Sequence, residues 1–474
     1  MANMSTFQTL KGIPESAVIN IGESILPHLK HVDPNSFLSI PFWATLLAVH
    51  LAYRYFGYDR FKNVNRLRKK YGYTDHPASF KDMSIQVASE IQHNVAGNDF
   101  PYLYEFGWVV EFLKASGLFF PFLFLAQRHA TCTDPTLAKV ICESGHFCNI
   151  DPHVSHKRQQ DTVCLMTAIM ALPIKSWNCS LACARINEHH TKYKSVINSD
   201  TMLWLSWMWT DGPIRWINNH GWRKLEPFEE HAIWIVWREL SLRLGCKWVP
   251  HTWGELVEFK DKYTKKMVRP SEWNEKMSDA ILDAIIFTVP GMFKPFARKC
   301  IISILDADVV WANQYTQEYS PGFRGFCFAV LHILTIFERY FGVPEHRILS
   351  PEYPNKNGLY NFPDYTYPST PYYVAPTLWN RWGPIALLDR LRGLPVPSAE
   401  WGGDGIRWEK IGAVLRDPTL QKKSEKKVIH NAEVLMRADW GFRADVPFQN
   451  GKPLVVDQKY GEGYGSREFA YDFS

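Results

Sequence analysis

Apolar residues recur along most of the chain at the three- and four-residue intervals of a helix, and alternating apolar and polar runs are scarce. The stretch 351–376 is rich in proline and tyrosine and has little periodicity, so it predicts an irregular segment. Elsewhere the spacing predicts helices over 82–92, 102–120, 135–145, 157–171, 177–194, 200–209, 227–244, 253–267, 271–287, 293–304, 325–341 and 377–394. We therefore predict an all-α body, with 227–244 as an amphipathic helix.

One apolar stretch, residues 36–53, differs from the others because it carries no formal charge. A transmembrane helix needs roughly 20 mostly apolar residues, and this stretch nearly reaches that length. Lysine and arginine are concentrated immediately after it, which is typical of the cytosolic side of a membrane. We therefore predict a single-pass anchor with the body in the cytosol, although a buried or interfacial helix is an open alternative.

These patterns divide the chain into five predicted segments. They are a lumenal segment 1–35, a transmembrane anchor 36–53, a basic juxtamembrane hinge 54–80, a helical catalytic domain 81–435 and a polar tail 436–474. The body is expected to be one large helical domain, because nothing inside it resembles a long linker.

Composition excludes several classes of protein. The net charge of +5 is small for 474 residues and is not gathered into one stripe, which argues against nucleic acid as a partner. The nine cysteines include no C-x-x-C pair, so we expect mostly reduced, buried thiols rather than a zinc site or a disulfide scaffold. Neither a glycine-rich phosphate loop nor a G-x-S-x-G motif is present.

Two neighbouring segments hold the candidate chemistry. Arg158 and Thr162 are four residues apart and therefore share a helix face. His190 follows Thr162 by 28 residues, which leaves room for one helix to run out and a second to return. A cation, a hydroxyl and an imidazole would then meet, a set that suits an anionic cofactor with a metal centre.

Two adjacent histidines compete for the role of metal ligand. Helical spacing places His190 on a face with Ile186 and Ile197, and His189 on a face with Arg185. We therefore predict that His190 faces an apolar interior and that His189 faces a more charged surface. Spacing alone leaves open whether His190 is a ligand or an ordinary core histidine.

Several motifs agree in order and spacing with a known group of proteins. They are Lys157-Arg158-x-x-Asp161-Thr162, Ala184-Arg185-x4-His190-x2-Tyr193, Trp222-Arg223-x-Leu225, Pro-Thr-Leu-Trp-Asn-Arg-Trp-Gly-Pro at 376–384, and Gly393-x-Pro395-Val396-Pro397. In these motifs the chain resembles the fungal endoplasmic-reticulum oxygenases of mycophenolic acid biosynthesis. More distantly it resembles the bacterial latex-clearing proteins, which are haem b rubber oxygenases.

The resemblance implies a globin-like, rubber-oxygenase-like helical core around haem b, with His190 as the axial ligand of the iron. It gives Arg158 and Thr162 catalytic and haem-binding roles, and it makes Arg185 a further cofactor-binding residue. The implied reaction uses O2 to oxidise an apolar isoprenoid substrate, by cleavage of a carbon–carbon double bond, at the endoplasmic reticulum membrane. The oligomeric state is not implied.

Two positions near the implied site differ from residues of the relatives. Asp161 stands where the latex-clearing proteins have a lysine, whereas the fungal relatives also have aspartate, and it could orient Arg185, act on a proton or be a salt-bridged acid. Asn187 replaces an arginine, and Glu143 lies near the expected position of an acidic base without a local sequence match.

Two other functions stay open on the sequence. One is a non-catalytic helical membrane protein that binds a lipid-like intermediate. The other is a non-haem metal enzyme that uses a histidine cluster, although the spacing lacks the carboxylate of an iron(II) triad. The cluster would consist of His146, His153, His156, His189 and His190.

Overall fold

The structure, a computed structural model, describes residues 44–45, 48, 60–100, 133–287, 289–341, 350–362, 373–412, 417–437, 448–449 and 452–453. The chain divides into two units, Met1–Arg66 and Leu67–Ser474, and the site lies in the second. The predicted anchor 36–53 falls almost entirely outside the described residues, and the predicted helix 102–120 lies wholly outside them. Of the helices that are described, none has both the length and the apolar character needed to cross a bilayer.

The described residues are predominantly helical, which confirms the predicted all-α class. The helices are α1 Lys62–Tyr71, α2 Ile85–Asn94, α3 Pro135–Glu143, α4 Pro152–Ala171, α5 Trp177–Thr191, α6 Ser199–His220, α7 Pro227–Arg243, α8 Trp253–Met267, α9 Glu272–Ile285, α10 Lys294–Ile304, α11 Ala307–Ala312, α12 Pro321–Phe341, α13 Leu378–Trp382, α14 Pro384–Leu391 and α15 Pro418–Arg437. Two short strands, β1 Phe448–Gln449 and β2 Lys452–Pro453, pair antiparallel.

Polar side chains set the first residues of the helices around the site. Asp134 and Asp151 accept backbone N–H bonds at the start of α3 and α4, and each is followed by a proline at the first helical position. Ser176 caps α5 in the same way through the N–H of Cys179. These local signals explain why the predicted and observed starts of α3 and α5 agree.

The helix prediction differs from the structure in several places: α1 and α11 were not predicted, and α4 begins at Pro152 rather than at residue 157. Helix α6 continues past the predicted end at residue 209 to His220, passing through Pro213. Helix α15 was not predicted, because its sequence is polar and charged. The predicted helix 377–394 breaks into α13 and α14 at Gly383, where a Cβ atom would lie 2.5 Å from the carbonyl oxygen of Trp379.

Two helices form the centre of the body. Helix α5 packs against α4 and α15, and helix α7 packs against α2 and α6. Both are buried on nearly every face. The amphipathic character predicted for 227–244 is therefore wrong, since neighbouring helices cover the polar positions of α7 as well as the apolar ones.

Part of the predicted hinge belongs to the helical body. Tyr73 packs on Phe228 with ring centroids 5.5 Å apart, and Arg68 Nη2 lies 2.5 Å from Glu226 Oε2. Residues 67–80 therefore pack onto the start of α7.

The cysteines agree in most cases with the prediction of buried thiols. Six described cysteines are free and buried: Cys164, Cys179, Cys183, Cys246, Cys300 and Cys327. Cys142 and Cys148 instead form a disulfide, which was not predicted. This disulfide links the last turn of α3 to the residues that precede α4.

A buried ionic cluster joins the start of α7 to the end of the α2 region. Arg223 Nη2 lies 2.5 Å from Asp99 Oδ2 and 2.9 Å from Glu229 Oε1, while Nη1 lies 2.6 Å from Glu229 Oε2. Trp222 donates its indole N–H to the carbonyl oxygen of Asp99 at 2.8 Å. The Trp222-Arg223-x-Leu225 motif is thus a structural element that fixes α7.

Replacing the arginine of this cluster should destabilise the body severely. Arg223→Met would leave Asp99 and Glu229 buried without their cation, so we expect a loss of about 3–5 kcal/mol in the free energy of unfolding. Urea denaturation of the detergent-solubilised chain, followed by circular dichroism, measures this loss. Lys262→Ala is the control because it removes only an exposed pair with Glu258 and should leave the midpoint unchanged. Equal denaturation midpoints for the two variants would contradict the stabilising role assigned to Arg223.

Candidate active site

A cavity of about 250 Å³ lies among α3, α4, α5, α6, α7 and α9. Its apolar walls include Leu137, Val140, Ile141, Val163, Leu165, Met166, Ile186, Ile197, Met202, Leu205, Trp209, Trp237, Leu244, Met277 and Ile281. Arg158, Thr162 and His190 all line this cavity, together with His189. The structure therefore brings together from α4 and α5 the cation, the hydroxyl and the imidazole that the spacing predicted.

Arg158 and Thr162 form one hydrogen-bonded unit on the wall contributed by α4. Arg158 Nη1 donates a short bond to Thr162 Oγ1, and this hydroxyl donates to the carbonyl oxygen of Arg158 at 3.0 Å. Both side chains are half-buried. The pair holds a positive charge against a mainly apolar cavity.

His190 is a neutral imidazole at the cavity wall. Burial, assisted by the positive charge of Arg158, lowers the pKa of His190 to about 4. Its Nδ1 atom is buried and has no hydrogen-bond partner among the described residues. Since a buried nitrogen without a partner is unfavourable, a neutral imidazole in this position suits a metal ligand.

His189 is hydrogen-bonded to a segment that lies far along the chain. Its Nε2 lies 3.0 Å from the carbonyl oxygen of Ile411 and carries the hydrogen, because a carbonyl oxygen can only accept. Gly412 has φ +92°, and a Cβ atom there would lie 2.3 Å from the same nitrogen. Burial and the charge of Arg185 hold the pKa of His189 well below its usual range. The predicted charged surface at His189 is wrong, because residues 411–412 cover the ring.

Arg185 is not among the residues that line the cavity. Its Nε donates to the carbonyl oxygen of Ile411 at 2.8 Å, and its Nη1 donates to Ser424 Oγ at 3.3 Å. These bonds attach α5 to α15 and to the segment before it. These contacts are structural, and the cofactor-binding role implied for Arg185 stays a prediction.

Asp161 and Asn187 also have structural partners. Asp161 Oδ2 accepts from Lys157 Nζ at 2.6 Å, and Oδ1 accepts a short bond from the hydroxyl of Tyr373. Asn187 Nδ2 donates to the carbonyl oxygen of Arg243 at 2.7 Å. Of the roles considered for Asp161, the salt-bridged acid agrees with these contacts.

The other candidate ligands do not assemble into a metal site. His153 stacks on Trp401, and the buried ring of His156 packs edge-on against Phe287. Glu143 lies 3.8 Å from a lysine on its own helix and does not line the cavity. In the described part of the chain, no group of three or more histidine, cysteine or acidic side chains is arranged to hold a metal.

Sequence reasoning missed cavity-lining residues that lie outside α4 and α5. Trp209 of α6 and Trp237 of α7 stack with ring centroids 6.2 Å apart and both line the cavity. Gly412 closes it beside His189. Apolar periodicity could place both tryptophans on buried faces, but no local signal connects Gly412 to α5.

The chain is similar to curated fungal proteins. It is 25% identical over 377 residues to the ER-bound oxygenase mpaB' of Penicillium brevicompactum, an alignment that covers 76% of this chain and 83% of that protein. It is 25% identical over 358 residues to the ER-bound oxygenase mpaB of the same fungus, covering 72% and 79%. A third relative, ER-bound oxygenase mpaB of Penicillium roqueforti, is 25% identical over 273 residues, covering 54% and 85%. No family model matches the chain.

These relatives confirm the resemblance to fungal ER-bound oxygenases that the motifs indicated. Their names support a general oxygenase role, and so an oxidoreductase. Most of each relative is covered, so the likeness extends beyond the motifs themselves.

Gly412→Ala should perturb the site through His189. Gly393→Ala is the matched control, since Gly393 also has positive φ (+71°) but has open space around its Cβ position. We expect Gly393→Ala to cost about 1–2 kcal/mol in backbone strain. Gly412→Ala should cost a further ~1–3 kcal/mol from overpacking. The free energy of unfolding measures both, and His189→Ala should recover most of the extra cost in a double-mutant cycle. No recovery would mean that the clash is not with His189.

Buried neutral histidines should make the fold sensitive to acid. Burial lowers the pKa values of His156, His220 and His231 to about 4, so the unfolded chain binds more protons than the folded chain below about pH 6.5. Stability should therefore fall from about pH 6.5 to about pH 4 and level off below that. Urea denaturation across this range measures the slope.

The control for this pH dependence is His231→Phe, which removes one such imidazole outside the cavity lining. His231 packs against Phe80 with ring centroids 5.2 Å apart, so phenylalanine suits the site. The slope should flatten by up to about 1.4 kcal/mol per pH unit. An unchanged slope would show that His231 does not contribute.

Proposed function

We propose that this chain is a haem b-dependent oxygenase of the endoplasmic reticulum membrane, which uses O2 to cleave a carbon–carbon double bond in an apolar, isoprenoid-bearing substrate. One observation carries the proposal: the neutral imidazole of His190, whose Nδ1 has no partner in the described structure, borders an apolar cavity beside the guanidinium of Arg158. Its neighbour His189 is already bonded to Ile411. Of the two histidines, His190 is therefore the better candidate for the iron ligand.

The residues around the cavity suit haem b. His190 would bind the iron, the apolar walls would enclose the porphyrin ring, and the positive charges of Arg158 and Lys192 would attract its propionates. When bound, the haem supplies the binding and activation of O2. Trp209 and Trp237 keep this part of the cavity apolar, which favours an apolar substrate over water.

The protein residues orient the reactants rather than donate electrons. Thr162 is held by the carbonyl oxygen and the guanidinium of Arg158, so its hydroxyl is fixed in place at the wall. In the overall reaction, one alkene and one O2 give two carbonyl products, with one oxygen atom on each of the two former alkene carbons. This balance needs neither an external reductant nor a proton source.

The proposed location follows from the relatives and from the substrate. The relatives are named ER-bound, and an isoprenoid substrate partitions into lipid. Residues 36–53 remain the predicted anchor, and the basic residues after them place the body on the cytosolic side.

The optical spectrum of the purified chain tests the haem assignment. Wild-type protein expressed with haem supplementation should show a Soret band, contain iron as its metal and give a b-type pyridine haemochrome. His190→Ala should lose the band because the iron loses its ligand, and added imidazole should restore it in His190→Gly by occupying the vacated space.

His189→Ala is the matched control, because it removes the adjacent imidazole of the same helix and should keep most of the haem. Equal haem content in wild type and His190→Ala would exclude His190 as the ligand. A colourless wild-type protein would instead favour a non-catalytic protein that binds a lipid-like intermediate.

A further inference from the structure

Helices α13 and α14 expose large apolar side chains in the same register. Leu378, Trp379 and Trp382 occupy positions i, i+1 and i+4 of α13, and Leu378 and Trp379 are 84% and 74% exposed. Three leucines repeat these positions in α14: Leu387, Leu388 and Leu391. Residues with this spacing lie on one side of a helix, so each helix has an apolar outer face.

This arrangement reverses the usual polarity of a surface helix. On α14 the inward side chains are Ala386 and Asp389, which are 5% and 4% exposed, whereas Leu391 is 85% exposed. A surface helix of a soluble protein normally buries its leucines and exposes its acids. The outer face of α13 and α14 is therefore suited to an apolar environment outside the protein.

Basic residues surround the apolar face. Arg381, Arg390 and Arg392 are exposed, while the one acid in the stretch 377–392 is the buried Asp389. The guanidinium of Arg390 lies 4.5 Å from the ring centroid of Trp382, and its Nε donates to the carbonyl oxygen of Arg381 at 3.2 Å. Cations and tryptophan rings thus form a rim around the leucines.

We propose that α13 and α14 form a peripheral membrane-binding surface that inserts its leucines and tryptophans into the interface of an anionic bilayer. This surface is separate from the predicted anchor 36–53 and does not depend on the haem assignment. Tryptophan is favoured at the level of the lipid headgroups, and leucine is favoured in the acyl region below it. The arginines match the negative charge of the phosphates, since the stretch exposes no acid to repel them.

Charge favours a bilayer over a protein partner. A specific protein interface normally mixes charges of both signs at its rim, whereas this rim is uniformly basic. The face is also short, five residues in α13 and eight in α14, which suits shallow insertion. A second copy of the chain would bring the same arginines into repulsion.

Photo-crosslinking in the full-length chain tests this surface. Two variants carry the photo-reactive residue benzoylphenylalanine, one at Leu391 (Leu391→benzoylphenylalanine) and one at Leu388 (Leu388→benzoylphenylalanine). Each variant is reconstituted into nanodiscs of phosphatidylcholine with or without phosphatidylserine. Lipid adducts should form at both positions. Arg381→Gln with Arg390→Gln should lower the yield in anionic discs, by up to roughly fivefold for each arginine removed.

Ile150→benzoylphenylalanine is the matched control. Ile150 is as exposed as Leu391, but it borders a cleft lined by Glu272, Glu275 and Asp283, which an anionic surface repels. Both variants keep residues 36–53 and are reconstituted into the same discs, so a difference in lipid yield between them reports on where each probe lies relative to the bilayer. Equal lipid yields at Ile150 and Leu391 would overturn the proposal, and so would protein–protein adducts in place of lipid adducts at Leu391.

Discussion

Helix α5 is enclosed on nearly every side, and polar groups removed from water must find partners inside the protein. Arg185 and His189 meet this requirement together, because both donate to the carbonyl oxygen of Ile411. Since the two donors are four residues apart, these bonds fix the rotation of α5 about its axis. That rotation turns His190 toward the cavity, so the position of the candidate ligand depends on a segment more than 200 residues away.

Local interactions explain what could be predicted. Arg158 and Thr162 are bonded because four residues make one helical turn, and helix 253–267 has its predicted bounds because Thr252 caps it. The surroundings of His189 were predicted wrongly for the opposite reason. Helical periodicity reports the polarity of a face but not which distant segment covers it, and a polar face can be buried when that segment supplies a carbonyl.

Asp161 is a second case in which a partner distant in sequence helps to decide where a side chain points. Asp161 lies next to Thr162 in sequence, yet its carboxylate is directed away from the cavity to Lys157 and Tyr373. These bonds hold the end of the proline- and tyrosine-rich segment against α4. Asp161 is therefore next to Thr162 in sequence without sharing its place in the cavity wall. An acid at this position is consistent with a site in which Arg158 and Thr162 face the cavity.

The charge of Arg158 affects both the protonation of His190 and the charge of the cofactor that the cavity can bind. A cation facing an apolar cavity is unfavourable unless an anion or strong acceptors compensate it. The same charge disfavours a proton on His190 and so keeps the imidazole available to a metal. A bare metal ion would add to the positive charge that Arg158 brings to the cavity wall. The haem b proposed for this cavity would carry its metal within an anionic ring bearing propionates, so it would match both the cation and the neutral imidazole.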